Sequence, residues 1–271
     1  MNPPGLELTA WRVAALAVSA FLAGFAKTGV VGAGAIITPL MASAFPAGFS
    51  LGFMLPLYLA GDLFVIGVLK RRPLWKTLRK AVFWGLIGVL AGWRAAGIIA
   101  GIPGPGSEAR LRTAVGIIMA LVVGIGTYVS RHPELALEGG GGGERAREAG
   151  PDRVRTWYAA SLGTFGGLAS MLTNSGGPIW GLYYSSLGLE VREVINTSAW
   201  CYFLLTLLKI PLSANLGFLD WSLQRLNLFL TPLMILGLLA GGKLSDRIGK
   251  KTFGEMVRVL AAGGSIYMIL S

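Results

Sequence analysis

Gly24-Phe-Ala-Lys27-Thr28-Gly29-Val-Val-Gly32-Ala-Gly34-Ala-Ile-Ile-Thr38-Pro39-Leu-Met41 is apolar apart from one lysine and a few hydroxyls, and glycines and a proline break it where one continuous helix would be expected. A second stretch of the same design lies 143 positions later, Gly167-Leu-Ala-Ser170-Met-Leu-Thr173-Asn174-Ser175-Gly176-Gly177-Pro178-Ile-Trp-Gly181-Leu-Tyr-Tyr184. Few residues are identical at that offset: Gly24/Gly167, Ala26/Ala169, Gly34/Gly177 and Ile36/Ile179. What repeats is the arrangement, an apolar segment, a polar and glycine-rich break, then a second apolar segment. Interrupted segments at matching places in two halves of a chain point to the binding site of a membrane transporter.

The composition agrees. Hydrophobic residues are 54% of the 271 and charged residues only 14%, against about 25% charged in a soluble domain. Between Arg12 and Lys70 only Lys27 and Asp62 carry charge, and nothing from Thr156 to Leu189 does. Both runs exceed the roughly 20 residues that span a bilayer, so the chain reads as an all-α, polytopic membrane protein. A β-barrel would need short segments of strict alternation. The net charge of +11 sits beside apolar segments, where it orients helices in the membrane, so nucleic acid is not expected as a partner. Cys201, the single cysteine, lies in an apolar segment and forms no disulfide within the chain. Met1–Ala26 has the outline of a signal peptide. The repeat, however, gives Ala20–Ala26 a counterpart inside the chain, and we read the stretch as part of the first span.

Apolar segments fall at about 9–28, 33–45, 49–69, 79–101, 111–130, 157–173, 177–187, 193–210, 223–242 and 253–270. The uncharged run 156–189 would be about 51 Å long as one helix at 1.5 Å per residue, too long for one hydrocarbon core of about 30 Å and too short for two. A hairpin of short or tilted helices meeting at the break fits best. Backbone freed at such a break survives only when buried in protein or lining a wet cavity. Lys70, Arg71, Arg72, Lys76, Arg79 and Lys80 mark a cytoplasmic loop. In the second half the basic cluster comes one loop later, at Lys243, Arg247, Lys250 and Lys251. The expectation is two inverted-topology repeats, residues 1–130 and 157–271, each with about three full spans plus a broken, re-entrant helical hairpin. Full-length hairpin arms would give the same parity. Between them residues 131–156, with glycines at 139–143 and mixed charges, read as a flexible cytoplasmic linker.

Lys27 stands about 15 residues into its apolar segment, beside the break. A cation at the centre of a membrane helix costs about 2.5–3.5 kcal/mol on insertion scales and suggests function, with snorkelling to the surface the alternative. Asp62, mid-segment, is a candidate for charge pairing or for carrying a coupling proton. Lys209 holds nearly the matching place in the second half but at the helix end before Pro211, and reads as snorkelling or pairing. Together the three leave one surplus positive charge, which an anion would neutralise. Restarting helices after Gly34 and Gly177 would add N–H groups and positive dipole ends. The candidate substrate-binding residues are therefore Lys27, Thr28, Gly29, Gly32, Gly34, Ser170, Thr173, Asn174, Ser175, Gly176 and Gly177. Lys27 would supply charge, Thr28 and Asn174 hydrogen bonds, and the glycine turns backbone donors. Asn196, Trp200 and Tyr202 read as packing. Walker, His-Glu-x-x-His and Cys-x-x-Cys sequences are absent and there is one histidine, so neither an enzyme, a metal site nor a cofactor is expected.

These residues carry a resemblance. Gly24-Phe-Ala-Lys27-Thr28-Gly29 with Gly32, Gly34 and Pro39, then Leu55-Pro56, Asp62-Leu-Phe, Met171-Leu-Thr-Asn174-Ser-Gly-Gly177-Pro178, Thr197-Ser-Ala-Trp200 and Leu208-Lys209-Ile-Pro211 form an ordered set. The set resembles the TauE/SafE family of sulfite and organosulfonate exporters over nearly the whole chain. The resemblance implies a multi-pass permease of the bacterial cytoplasmic membrane, exporting small sulfur-containing anions. Ser170, where that family leads one to expect threonine, and the long glycine-rich linker depart from the pattern. The expected partners are a small anionic substrate and membrane lipid, with further copies of the chain left open. An importer or channel for another anion is the alternative within the class; a membrane-embedded enzyme acting on lipid or a small thiol is the rival from outside it.

Overall fold

A computed structural model of the chain describes residues 9–29, 33–69, 73–101, 107–132, 156–174, 176–185 and 191–245. Gly32 and Ser175, residues 70–72, residues 133–155 of the expected linker and the apolar segment 253–270 lie outside the described residues. Among the described residues, five helical stretches are long and apolar enough to cross a membrane: Ala10–Thr28, Ala47–Val68, Trp75–Gly101, Glu193–Asn215 and Arg225–Lys243.

In chain order the described elements are α1 (Ala10–Thr28), a 3-10 turn (Ala33–Ile36), α2 (Ile37–Ala44), α3 (Ala47–Phe53), α4 (Leu55–Leu69), α5 (Trp75–Gly101), α6 (Ser107–Arg131), α7 (Thr156–Thr173), α8 (Gly177–Ser185), α9 (Val191–Asn215) and α10 (Arg225–Ser245). Each interruption joins a long helix to a short one. α1 and α7 have 19 and 18 residues, whereas α2 and α8 have 8 and 9. At 1.5 Å per residue the short arms reach only about 12–14 Å, less than half of the roughly 30 Å core. Over the described residues the arms of each hairpin are thus unequal, a distinction that hydropathy does not make.

Freed backbone groups find partners from distant elements, as a lipid-embedded fold requires. Pro56 has no N–H and its ring disfavours a straight helix, and α3 gives way to α4 at Met54. The Leu51 carbonyl there accepts from Asn174 Nδ2 at 2.8 Å, and the Phe53 carbonyl accepts from Asn227 Nδ2 at 3.0 Å. At the end of α2 the Ala44 carbonyl accepts from Arg12 Nε at 3.0 Å, a cation at a helix C-terminus. In the turn before α10, Asp220 Oδ1 accepts from the Ser222 hydroxyl at 2.6 Å and the Ser222 amide at 2.9 Å. Those bonds hold its carboxyl below the usual carboxylate range.

Two close helix pairs frame the molecule, α1 with α10 and α5 with α7. Both use the same device. A Cβ at Gly24 would run into the Met234 carbonyl oxygen, and one at Gly167 into the Gly85 carbonyl oxygen. Gly237 faces Phe21 and Phe25, while Gly88 faces Thr164 and Leu168. Phe21/Thr164 and Phe25/Leu168 are each 143 positions apart, as are Gly24 and Gly167. The offset found in the sequence therefore returns as a pair of equivalent backbone approaches, the small-residue packing expected without a hydrophobic drive between helices. Gly163, also on this face, abuts Trp84, whereas nothing stands within 4 Å of a Cβ at Gly101. The outer faces remain apolar: Phe229 is 78% exposed, and Phe83, Leu90 and Leu228 are exposed too.

The short helix α8 is anchored differently. Ile179, Trp180, Tyr183 and Tyr184 are buried in a cluster with Tyr158, Leu162, Cys201 and Leu205. Trp180 stacks on Tyr184 with ring centroids 6.2 Å apart. That aromatic core fixes a helix too short to hold itself in place.

Overpacking at a backbone approach costs about 1–3 kcal/mol and occasionally more. Gly24→Ala and Gly167→Ala should each lower the Tm of detergent-purified protein by several degrees. Gly67→Ala, with nothing within 4 Å of the added carbon, should leave it unchanged or slightly raised.

Candidate functional site

The two interruptions meet. The Thr38 hydroxyl, in the first turn of α2, donates to the Thr173 carbonyl at the end of α7. Asn174 follows with φ 53°, the left-handed region that asparagine tolerates better than most side chains. In that conformation its amide nitrogen reaches Leu51 on α3 while its Oδ1 accepts from Lys209 Nζ at 2.7 Å. Gly176 cannot carry a side chain, because a Cβ there would press on the Gly166 carbonyl oxygen and on Ser170.

Between the breaks lies a cavity of about 90 Å³, small beside the roughly 300–1,000 Å³ of sites for drug-sized ligands. Lys27 comes from α1, Gly34 and Ile37 from the first break, and Tyr58 and Asp62 from α4. Ser170, Asn174, Gly176 and Gly177 come from the second break, and Ser198, Tyr202, Thr206 and Lys209 from α9. Both halves thus contribute to one space.

Its charges are unevenly matched. Lys27 Nζ lies 2.5 Å from Asp62 Oδ1 and sits 5.6 Å and 5.8 Å from the ring centres of Tyr58 and Tyr202, within cation–π range. Asp62 is 0% exposed. Lys209, 3% exposed, donates to the Ser170 carbonyl at 2.6 Å, to Ser170 Oγ at 3.2 Å and to Asn174 Oδ1 at 2.7 Å. All three acceptors are neutral, and among the described residues no carboxylate lies within ion-pair distance of it. The surplus positive charge anticipated from the sequence therefore rests on Lys209, while Lys27 has a partner. Asp62 Oδ2 and the hydroxyls of Ser198 and Tyr202 are buried with no hydrogen-bond partner among the described residues.

The expectation that Lys209 lies at a helix end is corrected. α9 runs through Pro211 to Asn215, since neighbouring helices let membrane helices tolerate an interior proline, and Lys209 becomes an interior residue. Of the other sequence candidates, Lys27, Gly34, Ser170, Asn174, Gly176, Gly177 and Asp62 line the cavity. Thr28, Gly29 and Thr173 do not: Thr28 Oγ1 donates to the Leu238 carbonyl at 2.6 Å, Gly29 lies against Gly241, and Thr173 Oγ1 donates to the Ala169 carbonyl at 2.7 Å. Their hydrogen bonds and contacts hold the frame. Gly32 and Ser175 are outside the described residues. Sequence reasoning assigned Tyr202 to packing and passed over Tyr58, Ser198 and Thr206. A signal was present, because 198, 202, 206 and 209 step by four, four and three, one face of a helix. Asp62 likewise stands four residues after Tyr58. The described residues hold no group of His, Cys, Asp and Glu able to bind a metal.

Asn174 separates backbone from side-chain effects. Asn174→Gly keeps the left-handed turn and loses two hydrogen bonds, one of them to a cation and worth about 1.5–3 kcal/mol. Asn174→Ala loses both and adds roughly 1–2 kcal/mol of backbone strain. The expected order of Tm is wild type, then Asn174→Gly, then Asn174→Ala.

Comparison with known proteins points the same way. Residues 16–268 match the family described as Sulfite exporter TauE/SafE. Neither a curated protein nor a solved structure matches the chain. With nearly its whole length covered by that family and, among the described residues, five helical stretches long and apolar enough to cross a membrane, the chain is a multi-pass membrane protein belonging to the TauE/SafE sulfite exporter family.

Proposed function

We propose that this protein carries a small sulfur oxyanion, sulfite or an organosulfonate, outward across the bacterial cytoplasmic membrane, by alternating access around the cavity between the two breaks. The observation that carries the reading is Lys209: a buried ammonium held only by neutral oxygens, lining a small space shared by both halves. An oxyanion entering there exchanges weak partners for a charged one, and charge-assisted bonds are about twice as strong as neutral ones. Ser198 and Tyr202 stand ready as hydroxyl donors, and Gly177 opens α8 with the positive end of its dipole on the cavity wall. Asp62 serves as the counter-charge of Lys27, an assignment supported by their 2.5 Å contact.

Inverted repeats, 1–130 and 157–271, would relate the two breaks about this point, and the equivalent glycine approaches at Gly24 and Gly167 support that symmetry. Each close pair joins one helix of either half, so the bodies that move in alternating access would each combine helices from both repeats. An inside-negative potential of about 100 mV favours outward movement of one negative charge by roughly 2.3 kcal/mol, so export needs no coupled ion.

Lys209→Gln keeps length and polarity and removes the charge. Loss of a charged hydrogen bond costs about 1.5–3 kcal/mol, hence an affinity loss of roughly tenfold to a hundredfold. Isothermal titration of sulfite and methanesulfonate into purified wild type and variant measures it; equal affinities would overturn the reading. In sealed vesicles saturable flux with counterflow is expected, which a channel would not show.

A further inference from the structure

We infer that the cavity selects its anion by charge state, accepting singly charged sulfonates and bisulfite and rejecting doubly charged sulfate-like ions. This inference rests on the anion site proposed above and adds a rule about which oxyanions it takes.

Among the described residues three charged side chains line the cavity: Lys27 from α1, Asp62 from α4 and Lys209 from α9. Lys27 and Asp62 are in contact at 2.5 Å and cancel to first order. One formal positive charge is left, on Lys209, whose present partners are all neutral. A monoanion bound beside Lys209 balances the site. A dianion leaves one negative charge uncompensated in a space of about 90 Å³, where charges interact far more strongly than in water.

The position of Asp62 sharpens the discrimination. Its Oδ1 is engaged by Lys27, but Oδ2 is buried and has no hydrogen-bond partner among the described residues. Any anion in this cavity lies beside the Asp62 carboxylate, and the repulsion grows with the anion's charge. The remaining polar lining from Ser170, Asn174, Ser198, Tyr202 and Thr206 is neutral. Hydrogen bonds from neutral groups recognise S–O oxygens in either charge state and cannot supply the missing counter-charge. Selection against one charge class by a like charge in the lining is specificity by repulsion as well as by attraction. On this account the net charge of the lining sets selectivity: Asp62 offsets Lys27, and Lys209 supplies the one charge that a monoanion balances.

Methanesulfonate and sulfate make the test. Both are tetrahedral at sulfur and of similar size, a methyl group in one standing where the other has an oxygen, and they carry one and two charges. Binding of each to the purified full chain is measured by titration calorimetry. Wild type should bind methanesulfonate at least tenfold more tightly than sulfate. Asp62→Asn brings the lining to a formal +2, and the ratio should fall at least tenfold. The double variant Lys27→Gln/Asp62→Asn returns the lining to +1, and the preference for methanesulfonate should return even where affinities drop. The double variant also keeps the proposal testable if Asp62→Asn alone does not fold, since it leaves no ion buried without a partner on that pair. Sulfate binding to wild type as tightly as methanesulfonate, an unchanged ratio in Asp62→Asn, or loss of the preference in the double variant overturns the inference while leaving the anion site standing. Binding of neither anion to wild type overturns the anion site itself, and this inference with it.

Discussion

A buried ammonium group whose partners among the described residues are all neutral is the constraint around which this protein is organised. Lys209 is almost wholly enclosed, and removing such a charge from water is tolerable only when its donors are fully used. The fold meets that demand with oxygens gathered where a helix ends. The Ser170 carbonyl and the Asn174 side chain converge on Lys209 where α7 ends and the chain turns through a left-handed residue. The break thus does two things: it opens space, and it turns oxygens toward the cation. Without the cation the break would be a cost with no return.

The surrounding helices make that arrangement rigid. Two glycine-lined pairs, α1 with α10 and α5 with α7, bring backbones too close for any side chain to intervene. The long arms of both hairpins belong to these pairs, so the points at which they break are held by the frame. The short arms depend on side chains: α8 on Trp180, Tyr183 and Tyr184, α2 on burial of Ile37 and Met41 and on Arg12 at its end. The halves are joined to each other by both glycine-lined pairs, each of which takes one helix from either half, and by hydrogen bonds from Thr38 to Thr173, from Asn174 to Leu51, from Thr28 to Leu238 and from Asn227 to Phe53.

Much of this is legible in the chain itself. Glycine and proline inside uncharged runs reveal the breaks because lipid forbids free backbone elsewhere. Lys27 and Asp62 stand out because isolated charges in apolar segments are rare. The surplus of one positive charge follows from counting. What the sequence does not show is which lysine takes Asp62, since that depends on how α1, α4 and α9 cross. Lys209 was harder to place because Pro211 looks like a helix stop; tertiary contacts carry α9 past it. Thr28 and Thr173 sit beside the breaks in sequence, but their hydroxyls serve the backbone. Ser198 and Tyr202 lie far from either break and reach the cavity only through the packing of α9.

The most direct measurement is an experimental structure of the protein with methanesulfonate bound in a lipid nanodisc. The account predicts density for the anion between the two breaks, its oxygens within hydrogen-bond reach of Lys209 Nζ and of the Ser198 or Tyr202 hydroxyl, with Lys27 still paired to Asp62. An anion seated at Lys27 with Lys209 turned away, or bound outside this cavity, would contradict it.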